Sequence, residues 1–233
     1  MYSSPNQLDK TFSVKIVKNL DEKTIQNLSK EKITIFLDLA SNSLDYIKKT
    51  KLENVFIIDH HEVIQEIPEN VFIINPELDN KEKISTSGLT YLFCRELMPD
   101  RESAKLAVLG MIGDCLEKNI DKINNQILTE AEIIKKRGLL IYPSTRPINR
   151  VLEYNSSIYI PGITGNTEGV LNLLRTSGLS SKNGKYKNII ELDEKEMSKL
   201  ITSILLLKPQ TENNEMIGDI FLIKLFNKLE DAR

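Results

Sequence analysis

Short apolar runs of strand length divide the first third of the chain. Four of them, rich in β-branched and aromatic residues, predict β-strands over 12–17, 33–37, 55–58 and 71–74. Between the first three, apolar residues three and four apart predict helices over 20–28 and 44–49. Strands that alternate with helices indicate an α/β fold, with a mostly parallel sheet flanked by helices and functional groups at the carboxyl ends of its strands.

From residue 85 onward the apolar spacing becomes helical. It predicts helices over 87–98, 102–112, 123–137, 167–176 and 194–207, with a turn-rich stretch over 142–166 and a polar surface turn over 180–187. The C-terminal half is therefore expected to be more helical and loop-rich. We predict one domain over 1–233, with the α/β sheet core in 1–120 and a helical extension in 121–233.

The composition of the chain narrows the classes of function that it can have. The chain has 233 residues, 40% of them hydrophobic, which is enough for one sizeable core. Its 31 Lys and Arg against 33 Asp and Glu indicate no overall polyanion-binding charge. Cys94 and Cys115 lie in apolar stretches, which favours reduced, buried thiols in an intracellular, cytoplasmic protein. No apolar run reaches the roughly 18 to 20 residues of a membrane span, so no membrane role is expected.

Both histidines of the chain, His60 and His61, follow Asp59 at the end of the strand predicted over 55–58. A neutral imidazole binds divalent transition metals, and a neighbouring carboxylate can fix its tautomer. The alternative interpretation is that the triplet is a chance feature of the surface.

Two aspartates extend this pattern. Asp38 follows the preceding strand, so its carboxylate is expected at the same edge of the sheet. Asp114 follows a segment in which Gly110 and Gly113 would allow a close backbone approach. Asp38, His60 and Asp114 together predict a mixed oxygen and nitrogen site that suits manganese or magnesium. Taken singly, Asp38 is more typical of a strand-end turn than of a metal site, and Asp114 is more typical of a helix cap.

An ordered set of short motifs resembles the DHH phosphoesterases, and among them most closely the archaeal RecJ-like proteins. That branch includes the GINS-associated nuclease and the archaeal counterparts of cell division control protein 45. The motifs are LDLAS around Asp38, IDHH at 58–61, INP at 74–76, STSGLTYLFCREL from Ser85, AVLGMIGDC from Ala107, TRPINRVL from Thr145 and YIPGITGNTEGVLNLLR from Tyr159.

The resemblance implies roles for the same residues. In that family, two manganese or magnesium ions activate a water for phosphodiester hydrolysis. By resemblance, Asp38 corresponds to the carboxylate that bridges the metals, and His60 and Asp114 to metal ligands. His61 corresponds to the residue facing the substrate phosphate, and Asp59 to the one orienting the histidines.

The sequence departs from the catalytic members at its start. Those members open with a strand followed by an Asp-x-Asp motif, whereas the first 37 residues here contain only Asp9 and Asp21 as aspartates and no histidine or glycine. Three remaining ligands are too few for two ions, so we expect hydrolysis to be lost or severely reduced and the metal site to be a remnant. No cofactor is expected beyond manganese or magnesium at that remnant. The second, nucleic-acid-binding domain of RecJ-like nucleases is also expected to be absent.

These expectations favour an inactive RecJ-like or cell division control protein 45-like subunit of an archaeal DNA replication complex. By resemblance it would bind GINS and support the MCM helicase. Contact with single-stranded DNA is expected to be weak or indirect, because the chain has no tryptophan and only 6% aromatic residues for stacking. Two alternatives stay open: a manganese-dependent phosphoesterase or single-strand exonuclease using Asp38, His60, His61 and Asp114, and a regulatory protein that senses nucleotides or small phosphodiesters.

Overall fold

The computed structural model describes residues 11–50, 52–79, 82–98, 100–156, 158–207 and 216–233; Asp9 lies outside this range. The chain divides into two compact units, a first unit over 1–131 and a second unit over 132–233. The sequence placed its change from sheet core to extension at residue 120. Among the described helices, none has the length and apolar character needed to cross a membrane.

The first unit is an α/β structure, as predicted. Its three strands form a parallel sheet in the order β1-β2-β3, and short 3₁₀ turns follow β3 and α4. Its elements in chain order are α1 Glu22–Gln26, β1 Thr34–Leu37, α2 Leu44–Lys48, β2 Val55–Ile58, β3 Val71–Ile74, α3 Thr86–Leu97, α4 Arg101–Gly113 and α5 Lys122–Glu130.

Helices α1 and α2 cover one face of this sheet. Ile25 of α1 and Ile47 of α2 belong to the same buried cluster as Val55 and Ile57 of β2, which are fully buried. Helix α1 begins where the Asp21 carboxylate accepts a hydrogen bond from the Thr24 N–H at 2.7 Å. Burial of these apolar side chains fixes the sheet beneath the two short helices.

A close approach of α3 and α4 depends on one glycine. A Cβ at Gly110 would lie 1.8 Å from the Ser87 Oγ, whereas a Cβ at Gly113 would meet nothing within 4 Å. The predicted close approach is therefore right for Gly110 and wrong for Gly113. The contact sets the position of the C-terminal end of α4, directly before Asp114.

The second unit is built on an antiparallel sheet in the order β4-β5-β6. Helices α7 and α8 pack on a large apolar cluster that includes the fully buried Leu174, Leu200 and Ile220. Its elements are β4 Ile134–Leu139, α6 Ile148–Tyr154, α7 Thr167–Thr176, α8 Glu194–Leu205, β5 Ile217–Leu225 and β6 Lys228–Asp231. The stretch 180–187 forms an exposed turn, as predicted.

Several sequence predictions are wrong. The helix predicted over 123–137 ends at Glu130, and Glu132, at φ 55°, reverses the chain into β4. Because β4 pairs with β5 about 80 residues later, no local sequence pattern indicated this strand. The same distance hid β5, and β6, which pairs locally with β5, was missed together with it. Helix α6 lies within the predicted loops. The segment 12–17 forms no strand, because its backbone pairs with no neighbouring strand. Cys115 is exposed and Cys94 only partly buried, so neither is the buried thiol expected.

Candidate metal centre at the carboxyl edge of the parallel sheet

Polar residues follow all three parallel strands at the same edge of the sheet. Asp38, Asp59 and Asn75 come directly after β1, β2 and β3. The Asp38 N–H donates to the Ile58 carbonyl at 3.0 Å, and the Asp59 N–H donates to the Ile74 carbonyl at 3.1 Å. The strand ladder therefore extends to the first residues of the site and holds their backbones in place.

Asp59 is the buried anchor of the site, with only 1% of its surface exposed. Its Oδ1 accepts hydrogen bonds from the His60 N–H at 2.8 Å and from the His61 N–H at 3.3 Å, and lies 2.7 Å from the His61 Nδ1. Its Oδ2 accepts one from the Ser41 N–H at 3.2 Å. A buried carboxylate with this many donors is satisfied as an anion, so Asp59 orients its neighbours and is not free to bind a metal.

The pKa values of Asp59 and His61 follow from this contact. Burial alone would raise the pKa of Asp59, but hydrogen bonds from Ser41, His61 and His60 outweigh it and lower the pKa. The hydrogen bond to Asp59 raises the pKa of His61, helped by the negative charges of Asp38 and Asp114. With Nδ1 held as a donor to Asp59, the neutral His61 ring presents Nε2 as its lone-pair nitrogen.

Ser41 and Asn75 complete the support of the site, and the sequence alone did not indicate that Ser41 takes part in it. The buried Asn75 side chain donates from Nδ2 to the Ser41 Oγ at 3.2 Å and to the His61 carbonyl at 2.8 Å. These bonds tie the loops after β1, β2 and β3 together. The signal for Ser41 was its place three residues after Asp38 in LDLAS, but a serine there is also typical of an ordinary turn.

The loop after β1 is conformationally unusual. Asp38 has φ 61° and Ala40 has φ 90°, both in the positive-φ region that residues other than glycine rarely adopt. Such a backbone costs on the order of 1–3 kcal/mol per residue and is found mainly where surrounding contacts fix it at functional sites. Here the conformation turns the chain back after β1, so that the Ser41 N–H reaches Asp59.

His60 lies between two carboxylates. Its Nε2 is 3.5 Å from Oδ1 of Asp38 and 3.8 Å from Oδ2 of Asp114. Asp114 is the residue at which α4 ends, and burial, with repulsion from Asp38, raises its pKa. Two carboxylates held this close to an imidazole, all partly open to solvent, are arranged to share a cation.

The donor atoms fit one divalent ion. One ligand atom from each of Asp38, His60 and His61 lies within 4.8 Å of the others. Asp114 adjoins this group through His60. Two imidazole nitrogens and two carboxylates suit manganese or a similar divalent ion. The structure thus places the predicted ligands Asp38 and His60 in one group with His61, and the predicted ligand Asp114 beside His60.

Comparison with known proteins agrees with this geometry. The model of the DHH family N-terminal domain matches residues 6–133, which include the parallel sheet and every residue of the site. The model of the DHH-CID domain matches residues 141–216 in the second unit. The chain belongs to the DHH family. No curated protein gives a significant match to it.

Proposed function

We propose that this chain is a RecJ-like, cell division control protein 45-like member of the DHH family that acts as a binding subunit of an archaeal DNA replication complex. Its partners would be GINS and the MCM helicase. The proposal takes its branch and its partners from the sequence resemblance, and its lack of hydrolysis from the composition of the site.

The carrying observation is the size of the ligand set. The Asp59 carboxylate is occupied by hydrogen bonds to His60 and His61. This leaves Asp38 and Asp114 as the carboxylates beside the imidazoles. Two-metal hydrolysis uses one ion for the attacking oxygen and the other for the leaving oxygen. Among the described residues, the grouped donors suffice for one ion, which supports a site that helps to hold the loops together rather than one that cleaves a phosphodiester.

The residues themselves have clear roles in such a site. Asp59 and Asn75 hold the His60–His61 backbone, and the Asp59 carboxylate keeps the His61 ring in one orientation. Asp38 and Asp114 would supply negative charge to a bound cation, and that cation, when bound, would relieve the repulsion between them. Bound manganese would supply charge neutralisation at this edge of the sheet.

GINS association tests the proposal directly. The full chain would be mixed with GINS from its own source at moderate salt and followed by size-exclusion chromatography. We expect a complex to form with the wild-type chain and equally with Asp38→Asn and His60→Ala, because binding would not depend on hydrolysis. A chain that elutes apart from GINS would contradict the proposed partner.

A second function is favoured by one specific observation. The convergence of Asp38, His60 and His61 within 4.8 Å supplies part of the ligand set that a phosphoesterase site would need. A manganese-dependent phosphoesterase or single-strand exonuclease would hydrolyse a labelled single strand in the presence of manganese. Activity that disappears in His60→Ala but persists in a surface variant such as Leu206→Ser would favour this function over the binding subunit.

A further inference from the structure

Two motifs of the chain lie next to the candidate metal centre and supply only Asp114 to it. They are STSG at 85–88, which begins α3, and AVLGMIGD at 107–114, which ends α4. The motifs meet where Ser87 faces Gly110. Because an α-helix has 3.6 residues per turn, this contact lies about one turn before Asp114.

The Ser85 and Ser87 hydroxyls join α3 to α4. Ser85 is buried, and its Oγ accepts a hydrogen bond from the Gly88 N–H at 3.1 Å and lies 2.9 Å from the Ser87 Oγ. The Ser87 hydroxyl donates to the Ala107 carbonyl of α4 at 3.4 Å. Since a hydroxyl has one hydrogen to donate, Ser85 is the donor to Ser87. The two serines therefore form a chain of hydrogen bonds that ends on the backbone of α4.

Gly110 leaves the space that the Ser87 side chain occupies. A Cβ at position 110 would lie 1.8 Å from the Ser87 Oγ and 2.7 Å from the Ser87 Cβ. Two carbon atoms in favourable contact are about 3.5–4.0 Å apart. A Cβ at Gly113, which is nearer to Asp114 in the chain, would meet nothing within 4 Å. A side chain at position 110, unlike one at position 113, must therefore push α3 and α4 apart.

The end of α4 is the element that gives way in such a displacement. Helix α3 is held to α5, because the Tyr91 hydroxyl donates to the Glu130 carboxylate and the Arg95 Nη1 donates to it at 2.8 Å. Helix α4 ends at Asp114, whose N–H donates to the Gly110 carbonyl at 3.0 Å. A shift of the backbone at position 110 is therefore passed directly to Asp114.

The Asp114 carboxylate depends on this backbone for its position. In the part of the chain that the structure describes, no donor forms a hydrogen bond to it, and its charged neighbour is the His60 Nε2 at 3.8 Å. Asp59, in contrast, is fixed by several donors. Bonds from divalent ions to oxygen ligands are only about 2.0–2.6 Å long, so a displaced carboxylate no longer reaches the ion.

We propose that Gly110 and Ser87 are positioning residues for the metal centre. Their close contact sets the place of the Asp114 carboxylate and, through it, the affinity of the site for a divalent ion. The inference rests on the metal binding described under the proposed function, and it is independent of GINS and of hydrolysis.

Manganese affinity of the full chain tests this role. Electron paramagnetic resonance of the free ion gives the affinity, and the spectrum of the bound ion reports the geometry of its ligands. We expect Gly110→Ala to weaken binding about 10- to 100-fold, the range found when a group that orients a metal ligand is changed, and to alter the bound spectrum. Gly113→Ala, the matched control, should bind manganese as the wild type does.

A compensating variant separates positioning from general destabilisation. In the double variant Ser87→Gly with Gly110→Ala, the nearest of the three atoms that the new Cβ met is the Ser85 Oγ at 3.6 Å, so manganese affinity should recover to within a few-fold of wild type. Ser87→Gly alone opens the contact without a clash and should weaken binding several-fold. This variant keeps the test decisive if Gly110→Ala does not fold, as judged by circular dichroism.

The outcomes distinguish this inference from the proposed function. A wild-type chain that binds no manganese would overturn the metal centre and this inference together. If the wild type binds manganese, the inference alone is overturned when the folded single variants bind it equally well. It is also overturned when the double variant binds no better than a folded Gly110→Ala. A lowered unfolding temperature with unchanged manganese affinity would leave the contact a purely structural role.

Discussion

The two units of the chain differ in how they bury their apolar residues. In the second unit, helices and an antiparallel sheet enclose a continuous cluster in which Leu174, Leu200 and Ile220 are fully buried. In the first unit, a sheet of three four-residue strands buries one face, whereas Ile35, Phe56 and Phe72 on the other face are exposed. The second unit is thus built around one continuous core, whereas the first combines a core on one face of its sheet with the polar edge where Asp59 accepts its hydrogen bonds.

The largest effect is expected in the core of the second unit. Leu200→Ala removes a side chain with no exposed surface and leaves a cavity, so we expect a loss of about 2–5 kcal/mol in the free energy of unfolding. Phe72→Ala in β3 should cost far less, because Phe72 is 59% exposed. Urea denaturation measures both. Equal losses would contradict the contrast between the two units.

A smaller loss is expected where α3 meets α4. Gly110→Ala places a Cβ against Ser87, and overpacking of this kind costs about 1–3 kcal/mol. Gly113→Ala is the matched control in the same helix, since its Cβ meets nothing and alanine favours a helix. Thermal unfolding of both variants should show a lowered midpoint for Gly110→Ala alone. Similar midpoints would mean that the two helices can move apart without a loss of stability.

The polar edge should respond to substitution of its anchor. Asp59→Asn keeps the shape but removes the charge and leaves donors of His60, His61 and Ser41 imperfectly paired, at a cost of about 1–3 kcal/mol. Asn75→Asp is the companion variant, because it removes the donor that reaches Ser41 and the His61 carbonyl. Chemical denaturation at neutral pH measures the free energy of unfolding of both variants. A stability unchanged in Asp59→Asn would remove Asp59 from its anchoring role.

The smallest effect is a change in the acid sensitivity of stability. The pKa of Asp59 is lowered in the folded chain, so its contribution is fully present above the unfolded pKa of about 3.9 and is lost as pH falls through the lower folded pKa. Wild type should therefore lose more stability than Asp59→Asn between about pH 5 and pH 2. Parallel unfolding curves across this range would contradict the assignment.

Local patterns predicted the first unit better than the second. The alternation of strands and helices predicted the parallel sheet, and the positions after its strands pointed to Asp38 and Asp59. Pairing of β4 with β5 joins residues about 80 positions apart, which no local period encodes. The contact between Ser41 and Asp59 depends on the left-handed backbone at Asp38 and Ala40, which the residue types alone did not indicate.

Manganese titration tests the central proposal most directly, namely that the described site binds at most one divalent ion and does not support two-metal hydrolysis. Isothermal titration calorimetry of the full chain, followed by incubation of the same sample with a labelled single strand, gives stoichiometry and activity together. We predict at most one ion per chain, loss of that binding in Asp38→Asn, and no cleavage above background. Two ions bound per chain, or cleavage that His60→Ala abolishes, would contradict the account.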